Sequence, residues 1–415
     1  MKQRSSVMPK CLVLALALGV YSVGTPSVFA AAQEGGRASA PTIDERTGRV
    51  LTQAFELLGK DDYAGARAAL QGLNMDRLSP YERSRVEQIY YSIDAASENY
   101  AGARQHMQAA LASGGLTEGE TSQGQKAVAS LYLSEENWVE GTKALEAWLN
   151  VPTNKVLPAD YYLLAIAYYQ QGQVDKALVP ARKAVDMTET PQETWLQLLN
   201  SLLLGKEDYN AALPVTQKLV ALYPRQASYW TQLSSIYAIK EDYANSLVVL
   251  ELAHHAGLLT QSADLRRLAD MYSVRELPYR AAVLLQESID KKLIEPDGKV
   301  YEQLANALMN AREFEQSLPV FEKAAGLSSD GTLYARLGEM NAQLDNWQAA
   351  IDAYQKAVNK GGLKDNAQPV LMTGIAYYNL GKLSEARNWF QRASATASTK
   401  KIADAYITLI NSKLN

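Results

Sequence analysis

From Glu45 to the end of the chain, apolar residues recur three and four apart, the spacing that lines one face of an α-helix, and short polar turns break the runs. The runs come in pairs. Each pair carries a small residue at one recurring place: Ala66, Ala103, Gly141, Ala177, Ala212, Ser246, Ala281, Ser317, Ala350 and Ala386, neighbours lying 33 to 38 residues apart. Three residues earlier stands a ring or an apolar side chain: Tyr63, Tyr100, Trp138, Val174, Tyr243, Pro278, Phe314, Trp347 and Leu383. The fifth pair reads as one residue longer ahead of Ala212, with Tyr209 out of step. Four residues after the small one, one turn along the same face, come Leu70, Met107, Leu145, Ala181, Thr216, Leu250, Leu285, Phe321, Tyr354 and Phe390.

A slim side chain that recurs has a steric meaning: two antiparallel helices approach closely only where one of them lacks bulk. The pattern therefore predicts an all-α fold of helix-turn-helix hairpins stacked in a row. A plain helical bundle needs no small residue at one repeated slot. Residues 400–414 read as a closing helix over the last apolar face, as a stacked array requires.

The period, the paired helices and the signature residues resemble tetratricopeptide (TPR) repeats, helix-turn-helix units of about 34 residues. Trp230, Leu233, Tyr237, Ser246, Leu250 and Ala253 fill the family's slots in the sixth unit, and Gly374, Tyr377, Gly381, Ala386, Phe390 and Ala393 fill them in the tenth. The resemblance implies a right-handed α-solenoid of about ten units over residues 45–395. Units one to three, residues 45–156, are degenerate, with a Gly/Ser/Thr-rich loop expected from Ser113 to Gln123. Units in 157–395 are regular, although Pro278 falls in a turn, and residues 396–415 are expected to cap the array.

Ahead of the repeats, residues 1–30 read as an export signal: basic Lys2, Arg4 and Lys10, an apolar run from Cys11 to Val20, then Val28-Phe29-Ala30 with cleavage expected after Ala30. The run falls short of the roughly 20 apolar residues that span a bilayer. Residues 31–44 read as a flexible leader rich in Gly, Ala and Ser. Losing the signal takes the net charge from −4 to −7, the wrong sign for a generic nucleic-acid binder. It also removes Cys11, the one cysteine, and with it any thiol nucleophile, disulfide or Cys-ligated metal. A periplasmic location follows as an expectation.

Sites of chemistry are scarce. There is no Gly-x-Ser-x-Gly elbow, no His-Glu-x-x-His, and no Gly-Lys pair followed by Ser or Thr. His254 and His255 are adjacent on a helix, about 100° apart, so they cannot grip one metal ion as an i, i+4 pair does; beside Gly257 they suit a helix C-terminus. His106 reads as solvated or partly packed. No enzyme activity, cofactor or metal is expected.

In the implied fold, the first helix of each unit lines the inner groove. The fourth unit offers Tyr162, Ile166 and Tyr169 there, and the tenth offers Leu371, Ile375 and Tyr378, while Tyr161, Tyr168 and Tyr377 face inward. Units seven to nine offer Arg266, Arg267, Asp270, Lys299, Glu302, Asn306, Arg336 and Glu339. Two readings stand. Either the apolar stripes anchor a partner segment while the charges set register, or the stripes pack neighbouring repeats and the charges are a solvated face. The carboxylate clamp of chaperone-associated TPR domains needs Lys and Asn at fixed slots; here Arg266 with Asp270 and Glu302 with Asn306 put acids among them, which disfavours an acidic C-terminal tail as ligand.

Short segments, Tyr229-Trp230-Thr231-Gln232-Leu233, Gly257-Leu258-Leu259, Leu268-Ala269, Ala281-Ala282 and Asp330-Gly331, resemble periplasmic TPR proteins that accompany TonB–ExbB–ExbD energy-transduction systems. That resemblance implies an exported, non-enzymatic scaffold for envelope proteins or peptide segments, beside energised uptake of iron chelates. A helper in assembly or export of outer-membrane protein or polysaccharide is the alternative of the same class, and a groove that binds a small ligand or acts as an enzyme is the alternative of another.

Overall fold

The computed structural model describes residues 42–414. The expected signal and nearly all of the leader lie outside them. The described residues hold twenty-one α-helices, one 3-10 turn at Met75–Arg77 and no strand. The helices fall into ten pairs and a final helix. They are α1 (Glu45–Leu58) with α2 (Tyr63–Leu70), α3 (Pro80–Ala96) with α4 (Tyr100–Ala112), α5 (Glu118–Ser134) with α6 (Trp138–Leu149), and α7 (Pro158–Gln170) with α8 (Val174–Asp186). Then come α9 (Glu193–Gly205) with α10 (Tyr209–Leu222), α11 (Ala227–Ile239) with α12 (Tyr243–His255), and α13 (Ser262–Val274) with α14 (Pro278–Asp290). The series closes with α15 (Gly298–Asn310) and α16 (Phe314–Leu327), α17 (Thr332–Gln343) and α18 (Trp347–Lys360), α19 (Ala367–Asn379) and α20 (Leu383–Ser394), and α21 (Ala397–Leu414). The chain divides into two compact bodies between Asp208 and Tyr209, inside the turn of the fifth pair.

Within each body, the helices of a pair pack on one another and the second helix packs on the first helix of the next pair. All ten recurring small residues are buried, nine of them at 0–1% exposure. Gly141 shows how little room the slot leaves: a Cβ there would sit 2.4 Å from Cδ2 of Leu133 on the facing helix. The fit also runs the other way. Gly338 and Gly374, on first helices, receive the rings of Tyr354 and Phe390, which a Cβ would meet at 2.5 and 2.8 Å.

One turn joins the helices of every pair. Asp61, Glu98, Glu136, Gly172, Glu207, Glu241, Glu276, Arg312, Asp345 and Gly381 all have φ between 57° and 74°. The next residue's N–H then donates to the carbonyl five residues back, from Asp62 to Leu57 through Lys382 to Tyr377, at 2.8–3.0 Å. This is the Schellman closure of the first helix. Eight of the ten pay for a left-handed backbone without glycine, each at a cost of about 1–2 kcal/mol. Short side chains at the following position begin the second helix: Asp62, Asn99, Asn137 and Asp242 accept from backbone N–H groups of its first turn.

Two expectations need correcting. The fifth pair has no extra residue: Tyr209 opens α10 three places before Ala212 and two after left-handed Glu207, in register with the rest. The loop expected from Ser113 to Gln123 ends at Thr117, because Thr117 and Glu120 form a capping box and start α5 there. Pro278 is the first residue of α14, where its missing N–H costs nothing.

A tyrosine stitch joins successive pairs. At five junctions a phenol on the first helix of one pair meets an amide or carboxylate on the second helix before it. Tyr168 donates to Glu146, and Tyr272 to Glu251 at 2.9 Å; Tyr132, Tyr237 and Tyr377 accept from Gln108, Gln217 and Gln355 at 3.3, 2.9 and 3.3 Å. Inside pairs, Lys183, Lys323 and Lys356 lie over Tyr161, Tyr301 and Tyr334, always 22 residues on, at 4.2–5.6 Å from the ring centre. At the end of the second body, Tyr406 of α21 stacks on Phe390 at 4.6 Å and meets the edge of Tyr378, covering the last pair.

Burial, with the neighbouring carboxylate, pushes the hydroxyls of Tyr168 and Tyr272 up to about 12. The folded chain therefore holds these protons more tightly than the unfolded chain, whose phenols ionise near 10. Their contribution is complete below pH ~10 and is lost as pH rises towards ~12. Urea unfolding across that window should lose stability in the wild type and lose less in the Tyr168→Phe, Tyr272→Phe double variant.

Candidate functional site: the first-helix face

The predicted groove residues all sit on first helices, but the structure sorts them into two kinds. Tyr162, Ile166 and Leu371 are 1%, 4% and 3% exposed, so they are core, and the expectation that they face a partner is corrected. The reason is packing: Tyr162 lies against Trp195 of α9, the next first helix, with ring centres 5.9 Å apart. Burial pushes its hydroxyl pKa up. In the tenth pair, Leu371 belongs to the cluster closed by α21, with Ile375 and Tyr378 partly buried against it. Lys413 of α21 donates to the Tyr378 hydroxyl at 2.6 Å, so this stripe serves the closing helix. Tyr169 alone of the fourth pair's stripe stays half-buried at the surface. Of the tyrosines expected to face inward, Tyr168 is buried, whereas Tyr161 and Tyr377 are half-buried.

The charged residues of pairs seven to nine are different. Arg267, Asp270, Lys299, Arg336 and Glu339 are exposed, and Arg266, Glu302 and Asn306 are half-buried. Successive helices α13, α15 and α17 bring several of them together. Arg266 Nε donates to Oε1 of Gln303 at 2.9 Å, and Gln303 Nε2 donates to Asp270 Oδ1 at 2.6 Å and to the Arg266 carbonyl at 3.2 Å. Glu302 faces Arg336 at 4.0 Å. The Asn306 Oδ1 is buried and accepts no hydrogen bond. Gln303 was missed by sequence reading; it lies one place after Glu302, on the flank of the helix that meets α13. Among the described residues, no hydrogen bond or ion pair joins Arg267, Lys299 or Glu339 to this ladder.

The rest of the described surface offers little chemistry. Among the described residues, no group of three His, Cys, Asp or Glu side chains could hold a metal ion, and no helix is long and apolar enough to cross a membrane. Two open depressions of about 390 and 400 Å³ are lined by Val179, Arg182, Met187 and Leu203, and by Tyr279, Arg280, Asn310 and Arg312; neither includes a predicted groove residue. His106 is partly packed, with Nδ1 2.7 Å from Glu87 Oε2 and its ring stacked on Tyr90. His254 and His255 do occupy the last turn of α12, but burial first, then His255 and Lys291, lower the His254 pKa and disfavour the charge that a helix C-terminus would welcome.

Residues 302–368 match the tetratricopeptide repeat family. The turn, the small-residue slot and the reciprocal ring packing found in that stretch recur in other pairs of the described residues. No curated protein matches it. Among solved structures it is similar to a tetratricopeptide repeat protein from Parabacteroides merdae, at 13% identity over 63% of this chain and 99% of that one, TM-score 0.36. It is also similar to YrrB, a TPR protein with an unusual peptide-binding site, at 20% identity over 43% and 91%, TM-score 0.37. A third is the APC/C hetero-tetramer Cut9-Hcn1, at 12% identity over 89% and 90%, TM-score 0.28.

Tyr162→Ala should cost about 3–5 kcal/mol in urea unfolding, as for other buried rings, whereas Arg267→Ala should change stability by less than about 0.5 kcal/mol.

Proposed function

We propose that the chain is an exported, non-enzymatic scaffold of the cell envelope that captures a protein or peptide segment on the first-helix face of pairs seven to nine. The tetratricopeptide-repeat fold suits protein–protein interaction, and the observation that carries the reading is the division of that face. Its apolar stripes are consumed by packing, while α13, α15 and α17 keep an exposed row of both charge signs. Exposed charges on stacked helices select a partner by register and complementarity more than by apolar area. Mixed signs favour a segment that itself alternates acid and base over a uniformly acidic tail.

Export is supported by the order of residues 1–30, basic, then apolar, then small. The finer reading is an accessory of a TonB–ExbB–ExbD energy-transduction system for iron uptake, supported by the short segments from Tyr229 to Gly331 that resemble such proteins.

The test is crosslinking in intact cells followed by purification of the tagged chain, wild type beside the Arg267→Glu, Arg336→Glu double variant. The wild type should be released with periplasmic contents and carry TonB, ExbB or ExbD, and the charge reversal should lose most of that material at unchanged melting temperature. Recovery of outer-membrane assembly or export machinery instead would replace the TonB reading. Equal recovery by both forms would remove the charged face from the account.

A further inference from the structure

The tyrosine stitch is not continuous. In the second body it holds the junctions five–six, six–seven and nine–ten through Tyr237, Tyr272 and Tyr377. At the two consecutive junctions on either side of the eighth pair, the equivalent first-helix slots hold Leu308 and Asn341 instead. Leu308 has no polar atom to offer. Asn341, buried at 6% exposure, turns its amide to the carbonyl of Leu337 in its own helix, at 2.9 Å. In the first body Leu203 fills the slot at the four–five junction, but there it stands alone between stitched or otherwise paired neighbours.

What replaces the stitch is of a different kind. Between pairs seven and eight, Val300, Leu304 and Leu308 of α15 share one apolar cluster with α13 and α14, and the polar bridge is Gln303, closing on the Arg266 side chain, the Arg266 carbonyl and Asp270. Between pairs eight and nine, beside the apolar cluster of Ala305, Phe321, Leu337 and Met340, the polar links are long cationic side chains: Arg336 on Glu302 at 4.0 Å, Lys356 on Glu322 at 2.7 Å, and Lys360 on the carbonyls of Ala325 and Gly326 at 2.7 and 3.0 Å. The two ion pairs are half-exposed, with side chains 38–55% accessible. Such pairs are screened and conformationally loose, contributing little. A phenol fixed by its packed ring holds its hydroxyl in place with two torsions; a glutamine or lysine head has more torsions to fix.

We infer that the eighth pair is a hinge of the second body, flexing against its neighbours on both sides, and that Gln303 is the latch that restrains it on the first-helix face. The inference concerns motion within the free chain and does not depend on a partner. The latch does, however, lie among the charged residues of the proposed docking face.

The slot opposite Leu308 is already furnished: Gln286 stands on α14 where Gln217 and Gln355 stand on their helices, and its amide is spent only on Asp290 of the same helix. A tyrosine at 308 can therefore restore the missing stitch. Spin labels at Ala263→Cys on α13 and Thr332→Cys on α17, both exposed and separated by the eighth pair, report the spread of distances by pulsed dipolar spectroscopy once Cys11 is replaced by Ser. Gln303→Ala should broaden the distribution, and Leu308→Tyr should narrow it relative to Leu308→Phe, which adds the ring without the hydroxyl. Circular dichroism on each variant confirms that it is folded. An unchanged width in folded Gln303→Ala, or equal widths for the Tyr and Phe variants, would overturn the hinge.

Discussion

The close approach of two helices at one slim residue is the constraint from which the rest follows. Where Gly141 meets Leu133 there is no volume left for a longer side chain, and Ala177 and Ala281 lie wholly within the packing. Interiors this dense transmit any added bulk into the backbone. The pair geometry fixed by that contact sets where the second helix must begin, so the turn between helices has one length and one backbone form in all ten pairs. It also decides which side chains of the first helix meet the next pair and which are left for solvent.

Much of the fold was legible because this contact leaves a mark in the sequence. The small residue, the ring three before it and the apolar residue four after it are chemically distinctive, and their spacing gave ten pairs and a closing helix. The turn was harder to see. Left-handed backbone is usually announced by glycine, and only Gly172 and Gly381 announce it here; Glu98, Glu136, Glu207, Glu241 and Glu276 take the same φ without it. The signal present instead is an acid followed by Asp or Asn and a ring, as in Glu98-Asn99-Tyr100, Glu136-Asn137-Trp138 and Glu241-Asp242-Tyr243. That motif also places Tyr209 in register.

The site was less legible, for a physical reason. A tyrosine on a first helix has the same spacing whether it meets a partner or the next pair, and only the three-dimensional neighbour decides. Tyr162 found Trp195, and Tyr378 found the closing helix. Charged residues are easier to assign, because an unpaired charge is seldom buried; Arg267, Asp270 and Arg336 are indeed at the surface. Gln303 escaped notice since a single amide carries no sign of whether it bridges helices. The stitching tyrosines Tyr168 and Tyr377 stand in the doublets Tyr168-Tyr169 and Tyr377-Tyr378, but the partners of such tyrosines lie twenty or more residues away on another helix.

The most direct measurement of the steric claim is a volume series at one slot, Ala281→Gly, →Ser, →Val and →Leu, followed by urea unfolding. Glycine and serine should be tolerated within about 1 kcal/mol, with valine and then leucine costing progressively more, reaching about 3 kcal/mol or beyond as the helices are forced apart. A leucine as stable as alanine at that position would contradict the account.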